Sequence, residues 1–240
     1  MRVAVITDIH SNLPALEAVL EACASYDALW VLGDVVGYGP YPDEVVARLR
    51  KERAVAVRGN HDAAVLGELD TRVFNDEARL AVEWTAERIG TTARHWLDGL
   101  PETRVEAGFT LAHGSPRDPL WEYLVSVSIA RRNLSHFETP HAIVGHTHVP
   151  LVFREAGSRV EAIHPREGTR LELDERRCIL NPGGVGQPRD GDPRACAMIL
   201  DTEAMSVEWL RVPYPIEKVQ ARMRRLGLPG RLADRLALGL

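Results

Sequence analysis

The chain begins with a short β-branched run over residues 3–6 that breaks at Thr7-Asp8, which predicts a buried strand with a loop at its carboxyl end. Asn12 then reads as a helix N-cap with Pro14 in the first turn, and Leu13, Leu16, Val19, Leu20 and Cys23 recur at helical spacing. The unit repeats. Residues 29–32 lead into Gly33-Asp34, a helix is expected over about 43–51, and residues 55–57 lead into Arg58-Gly59-Asn60-His61-Asp62. This alternation predicts a parallel sheet. Residues 76–100 read as one or two helices. Residues 109–112 and 142–144 read as strands on either side of a helix near 129–137, and they end in His113-Gly114 and Gly145-His146. After His148 the texture changes to six closely spaced strands, at 150–154, 159–163, 170–173, 178–180, 195–200 and 207–212, separated by turn residues. That spacing favours antiparallel hairpins. From Ile216 two amphipathic helices, broken at residues 227–230, are expected to pack outside the sheets. With no linker, repeat or low-complexity stretch, one domain over 1–240 is expected, its C-terminal helices covering about 215–240.

Composition narrows the classes. A chain of 240 residues with 45% hydrophobic and 26% charged residues is not disordered, and it is long enough to bury a core without disulfides. Lys plus Arg number 29 against 34 Asp plus Glu, and the net charge of −5 does not invite duplex nucleic acid or an anionic membrane. Small or single-stranded phosphorylated substrates stay open. Cys23, Cys178 and Cys196 are odd in number and widely spaced, which indicates neither a disulfide framework nor a cysteine zinc site. No apolar run is long enough for a signal peptide or a membrane span, so a cytoplasmic protein is expected.

The chemistry lies in where the chain places Asp, His and Asn. Asp8, His10, Asp34, Asn60, His61, His113, His146 and His148 each fall just beyond an apolar strand, and in an open α/β sheet such loops gather on one rim. Taken singly the pieces are weak: Asp-x-His is often a polar turn, and Gly-Asp is a common turn dipeptide. Gly-Asn-His-Asp is more specific, because a turn does not ask for an imidazole between Asn and Asp. Together they predict a metal centre, and its nitrogen and oxygen donors suit Mn, Fe, Co, Ni or Zn rather than calcium.

The blocks Asp8-Ile9-His10, Gly33-Asp34, Gly59-Asn60-His61-Asp62, His113-Gly114 and Gly145-His146-Thr147-His148 stand in the order of a known signature. Over residues 1–150 the chain resembles the calcineurin-like metallophosphoesterases, and Asn181-Pro182-Gly183-Gly184 adds a weaker match to their small prokaryotic phosphodiesterase branch. The resemblance implies an α/β (α+β) fold, a four-layer α-β-β-α sandwich of two mixed sheets. It also implies two divalent metal ions, one held by Asp8, His10, Asp34 and His148 and the other by Asp34, Asn60, His113 and His146, with Asp34 bridging. A metal-bridging hydroxide would attack the phosphoryl group, since coordination lowers the pKa of bound water toward about 7. His61 would assist the leaving oxygen. Asp62 would orient His61 or cap the loop, the two readings standing about level. Arg58, Arg117 and Arg189 are candidate phosphate clamps, each alone also readable as a surface arginine, with Arg117 favoured by its closeness to His113. Asn181 and the glycines at 183, 184 and 186 would let substrate approach the backbone, or serve a tight turn.

Departures from the family refine the reading. Protein serine/threonine phosphatases and symmetrical diadenosine tetraphosphatases continue the second block as Gly-Asp-x-Val-Asp-Arg-Gly, whereas this chain continues as Val35-Val36-Gly37-Tyr38-Gly39-Pro40. Those two activities are therefore demoted. Tyr38 and Tyr41 could stack on a base or aryl group, or pack in a rigid turn. Three functions remain: a phosphodiesterase on a small or nucleotide-like phosphoester, a phosphomonoesterase with the same centre, and a non-catalytic interaction scaffold. Retention of the full set of side chains favours an enzyme. Oligomeric state is left open, with a homo-oligomer compatible with the sequence.

Overall fold

A computed structural model describes residues 1–240. Two six-stranded mixed sheets lie face to face. The first sheet runs β3 (Val55–Val57), β2 (Ala28–Leu32), β1 (Arg2–Ile6), β11 (Ala195–Asp201), β12 (Ser206–Val212) and β9 (Arg170–Glu172). The second runs β4 (Thr103–Glu106), β5 (Phe109–Ala112), β6 (His141–Ile143), β10 (Cys178–Asn181), β7 (Leu151–Ala156) and β8 (Arg159–Ile163). Strands β1, β2 and β3 are parallel to one another, as are β5, β6 and β10; the remaining pairings are antiparallel.

Three apolar cores account for the layering. Between the sheets, alternate side chains such as Val3, Val5, Trp30, Leu32, Phe109, Leu111, Leu180 and Trp209 interdigitate and exclude water. The opposite face of the first sheet, with Ala4, Ile6, Leu29 and Val31, is covered by helices including α1 (Leu13–Ala22) and α2 (Pro42–Lys51). Val219 and Met223 of α7 (Ile216–Arg225) and Leu232 of α8 (Gly230–Asp234) join this core, so the C-terminal helices pack on that side. A smaller core backs the second sheet, where Ala130 of α6 (Val127–Asn133) meets Ala142, Phe153 and Ile179. The layers are therefore helix, sheet, sheet, helix.

Local chemistry sets the element ends. The Asn12 side chain accepts from Ala15 N–H, capping α1 as its position predicts, and Pro42 opens α2, with Asp43 and Glu44 in its first turn and Arg48, Arg50 and Lys51 in its last. Two elements depart from expectation. β4 escapes a hydrophobic pattern because it is an edge strand whose residues 103–105 are exposed. Asn60, His61 and Asp62, placed by the sequence in the loop leaving β3, instead open α3 (Asn60–Leu66). The two halves of the chain also do not divide between the sheets: β11, β12 and β9 complete the sheet begun by β1 to β3.

Phe109 is almost wholly buried between the sheets, its ring 5.8 Å from that of Trp30. Phe109→Ala should destabilise the fold by about 3–5 kcal/mol in urea unfolding; a loss under about 1 kcal/mol would mean that the two sheets can close over the gap.

Candidate metal centre

Each parallel triplet sends its carboxyl ends to the same edge of the sandwich. Asp8 and His10 follow β1, Asp34 follows β2, Asn60 opens α3 after β3, His113 follows β5, and His146 and His148 follow β6. All seven side chains are buried. Backbone conformation marks the same place: of the eleven non-glycine residues with positive φ, five are Asp8, His10, Asp34, His146 and His148. Left-handed conformations cost energy for residues other than glycine and persist where surrounding structure enforces them. Here the sheets and crowded loops do so. A Cβ on Gly145 would lie 2.0 Å from Thr7 Oγ1, and one on Gly186 would lie 1.8 Å from the Ile9 carbonyl oxygen. Gly186 thus makes room for the protein's own backbone.

The histidine tautomers follow from their partners. His10 Nδ1 donates to the Val36 carbonyl at 3.2 Å, His113 Nδ1 to Leu32 at 2.8 Å and His148 Nδ1 to Gln187 at 2.6 Å. A carbonyl can only accept, so each Nδ1 carries hydrogen and each Nε2 is directed inward. His10 Nε2 and His148 Nε2 lie 3.2 Å apart, and His148 Nε2 lies 3.3 Å from Asp8 Oδ1. In a second set, His113 Nε2 is 3.0 Å from His146 Nδ1, 3.1 Å from Asn60 Oδ1 and 3.3 Å from Asp34 Oδ2. The same Asp34 Oδ2 is 3.5 Å from His10 Nε2, so one oxygen stands between both sets.

These groups fit a metal. Two imidazole lone pairs facing each other repel unless a cation lies between them, and bonds of about 2.0–2.1 Å give donor–donor edges of about 2.9–3.4 Å. Asp8 Oδ1 is buried without a hydrogen-bond partner, a placement that costs stability unless a charge meets it. The triads Asp8–His10–His148, His10–Asp34–His61 and Asp34–His113–His146 each bring their donor atoms within 4.8 Å of one another. Electrostatics point the same way. Burial pushes the Asp8 carboxyl up to about 7, whereas at Asp34 burial is outweighed by His113 and His61, which hold it well below the usual carboxylate range. Burial would lower His113, but Asp34 and Asp8 raise it to about 9. The pair of carboxylates draws positive charge into the cluster. Burial holds His10 and His148 far below their usual range, which leaves them neutral donors.

The remaining sequence candidates divide. The His61 ring lies beside the centre, 4.8 Å from the His10 ring and 4.4 Å from Tyr38, and its backbone N–H donates to Asp34 Oδ1 at 2.9 Å. Its place in one of the triads puts it within coordinating reach, closer than the sequence suggests. Asp62 does not face the His61 ring through a hydrogen bond. Its carboxylate accepts from the backbone N–H groups of Val35, Val36 and Gly59, which ties the Asp34 loop to the start of α3. Asn181 donates to the Gly145 carbonyl and to Thr147 Oγ1 and accepts from Gly183 N–H, so its polar atoms are spent on the loop between His146 and His148. Arg117 is paired with Glu122, and Arg58 with Glu68 at 2.9 Å. Arg189 has no carboxylate partner; its guanidinium lies 5.8 Å from the Tyr38 ring centre, and its charge reaches Asp8, His10 and His61.

Sequence reading passed over three aromatics at this edge. Tyr123 stacks on His146 with ring centres 3.8 Å apart, Phe74 meets His61 at 5.0 Å, and Trp121 meets Phe74 at 5.1 Å. They sit in irregular segments without periodicity, so no local pattern marks them.

A calcineurin-like phosphoesterase superfamily domain matches residues 1–205. The chain belongs to that superfamily. It is 38% identical over 246 residues to the uncharacterized protein MJ0912 of Methanocaldococcus jannaschii, covering 99% of this chain and 98% of that one. It is 30% identical over 220 residues to phosphodiesterase YfcE of Escherichia coli K12, covering 86% of this chain and 91% of that one. Among solved structures, a metallophosphoesterase from Sphaerobacter thermophilus superimposes with a TM-score of 0.92 at 46% identity, over 100% of this chain and 99% of that one. The chain is accordingly a metal-dependent phosphoesterase by family.

Asp62→Ala should strand three buried backbone N–H groups and cost about 3 kcal/mol or more in denaturant unfolding. Asp62→Asn, which keeps an acceptor oxygen, should lose less; equal stability of Asp62→Ala and the parent chain would show that the Asp34 loop is held by other contacts.

Proposed function

We propose that this chain is a two-metal phosphodiesterase acting on a small or nucleotide-like diester. The observation that carries this reading is the position of Asp34 Oδ2 between His10 Nε2 and His113 Nε2, which supports a bridging carboxylate shared by two cations. One ion would be held by Asp8, His10, Asp34 and His148, the other by Asp34, Asn60, His113 and His146. The donor chemistry suits Mn, Fe, Co, Ni or Zn. When bound, such a pair supplies polarisation of the phosphoryl oxygens and a water-derived nucleophile near neutral pH.

The protein's own groups do the rest. Carbonyls of Val36, Leu32 and Gln187 orient the imidazoles, which fixes where a phosphoryl group must sit. Arg189 offers one guanidinium to the phosphoryl oxygens, and a single positive charge matches the single negative charge of a diester. The name of the Escherichia coli relative, a phosphodiesterase, supports the same preference. His61 stands where a leaving oxygen would emerge. Burial lowers its imidazole to about 4, so at neutral pH it is a neutral N–H donor that meets the leaving oxygen with a hydrogen bond. Hydrolysis balances as one P–O bond made to the water oxygen and one P–O bond broken to the leaving group, with the proton that the water gives up ending on the leaving oxygen.

Asp34→Asn should lose metal occupancy, measured by elemental analysis, and turnover together; two bound metals with full activity in this variant would refute the bridge. His61→Ala should keep both metals while kcat falls about 10²–10³-fold, the loss of one hydrogen-bond donor to the leaving oxygen. A loss of metal as large as in Asp34→Asn would instead make His61 a ligand. Chelation should abolish hydrolysis of an aryl diester and Mn²⁺ should restore it, whereas activity that survives chelation would overturn the reading.

A further inference from the structure

Around the buried donors the edge of the sandwich carries an aromatic rim. Trp121 and Tyr123 belong to none of the three apolar cores, and Phe74 touches the helix-side core only at its margin. Tyr123 is 45% exposed although one face is covered by His146, and its neighbour Val125 is exposed too. Phe74 and Trp121 beside them are half-buried, so each keeps part of its ring open to solvent, and grouped apolar exposure marks a binding surface. The rings are not scattered. From His61 the path runs outward to Phe74, tilted 72° to it, and on to Trp121, tilted 56° to Phe74. Phe74 follows the 3₁₀ turn Thr71–Val73, whereas Trp121 comes from the segment between β5 and α6, so two separate stretches of chain supply one wall.

We infer that Phe74 and Trp121 form a stacking subsite for a flat aromatic group on the leaving side of the substrate, a nucleobase or an aryl ester. This rests on the phosphodiesterase reading above, because it is His61, beside the leaving oxygen, that Phe74 adjoins. Apolar walls alone would take an aliphatic group as well. Two rings in tilted contact present an edge and a face, which suit the quadrupole of another ring, and stacking is tolerant of which ring it is. The subsite therefore selects for an aromatic leaving group while leaving its exact identity to other contacts.

The test separates the ring from the phosphoryl head. Phenylphosphonate and methylphosphonate carry the same head and differ in the ring, and their affinities for the metal-loaded full chain can be measured by calorimetry. The parent chain should bind phenylphosphonate more tightly, by about five- to a hundredfold. Phe74→Ala and Trp121→Ala should each remove most of that ratio while methylphosphonate affinity stays within about twofold, the mark of an intact centre. Trp121→Phe should restore much of the preference. An unchanged ratio in both alanine variants, or equal loss for both phosphonates, would overturn the subsite. Binding of both ligands by the parent chain without preference would refute the subsite alone. Binding of neither would refute the phosphoryl centre and the subsite with it.

Discussion

Two carboxylates, Asp8 and Asp34, are buried among imidazoles at one edge of the sandwich, and most features of that edge answer the cost of putting them there. A buried charge is tolerated only when paired and hydrogen-bonded. Asp34 is met by the His61 backbone N–H and lies 3.3 Å from His113 Nε2, and one oxygen of Asp8 is met by the His146 backbone N–H. What the protein supplies around Asp8 is incomplete, since one of its oxygens has no donor. The deficit is one of positive charge, and the inward-facing histidine nitrogens mark where that charge belongs.

The fold earns its place by convergence. Two parallel triplets, one in each sheet, end at the same edge, so residues separated by 140 positions, Asp8 and His148, come within 3.3 Å. The interior between the sheets fixes the distance between the triplets, and the backbone carbonyls beyond the strands fix the rotation of each ring. Asp62 and Asn181 extend this support outward, one binding the loop of Asp34 to α3 and the other binding the loop that carries His146 and His148. Their contribution is position rather than chemistry.

Much of this was legible along the chain, and for definite reasons. Strand exits with Asp, His or Asn stand out because apolar runs of three to five residues end abruptly in polar groups, and the hairpins after His148 carry clear turn residues. The bounds of β7 to β12 agree with expectation to within two residues. What failed to show was anything set by pairing across the sandwich. β4 shows no apolar pattern because it is an edge strand exposed on both faces over residues 103–105, and α3 begins on the Gly-Asn-His-Asp block itself, which its turn-forming letters disguise. Arg117 looked favourable from its nearness to His113 in sequence, yet Glu122 in the same loop engages it. Arg189, forty-one residues beyond His148, is held beside the centre because its loop packs against the β1 exit, with Gly186 N–H bonded to the Asp8 carbonyl and the Arg189 N–H to the His148 carbonyl. Phe74, Trp121 and Tyr123 follow no periodicity, and only the assembled edge gathers them.

The left-handed backbone at Asp8, His10, Asp34, His146 and His148 sets a second filter on those positions. Asp, Asn and His are the side-chain-bearing residues that enter this conformation most readily, while β-branched residues resist it. A glutamate or threonine there would have to satisfy an unsuitable torsion as well as a different reach. Donor chemistry and chain geometry thus draw on the same narrow alphabet, and drift at these positions is confined to a few interchangeable letters even before catalysis imposes any selection.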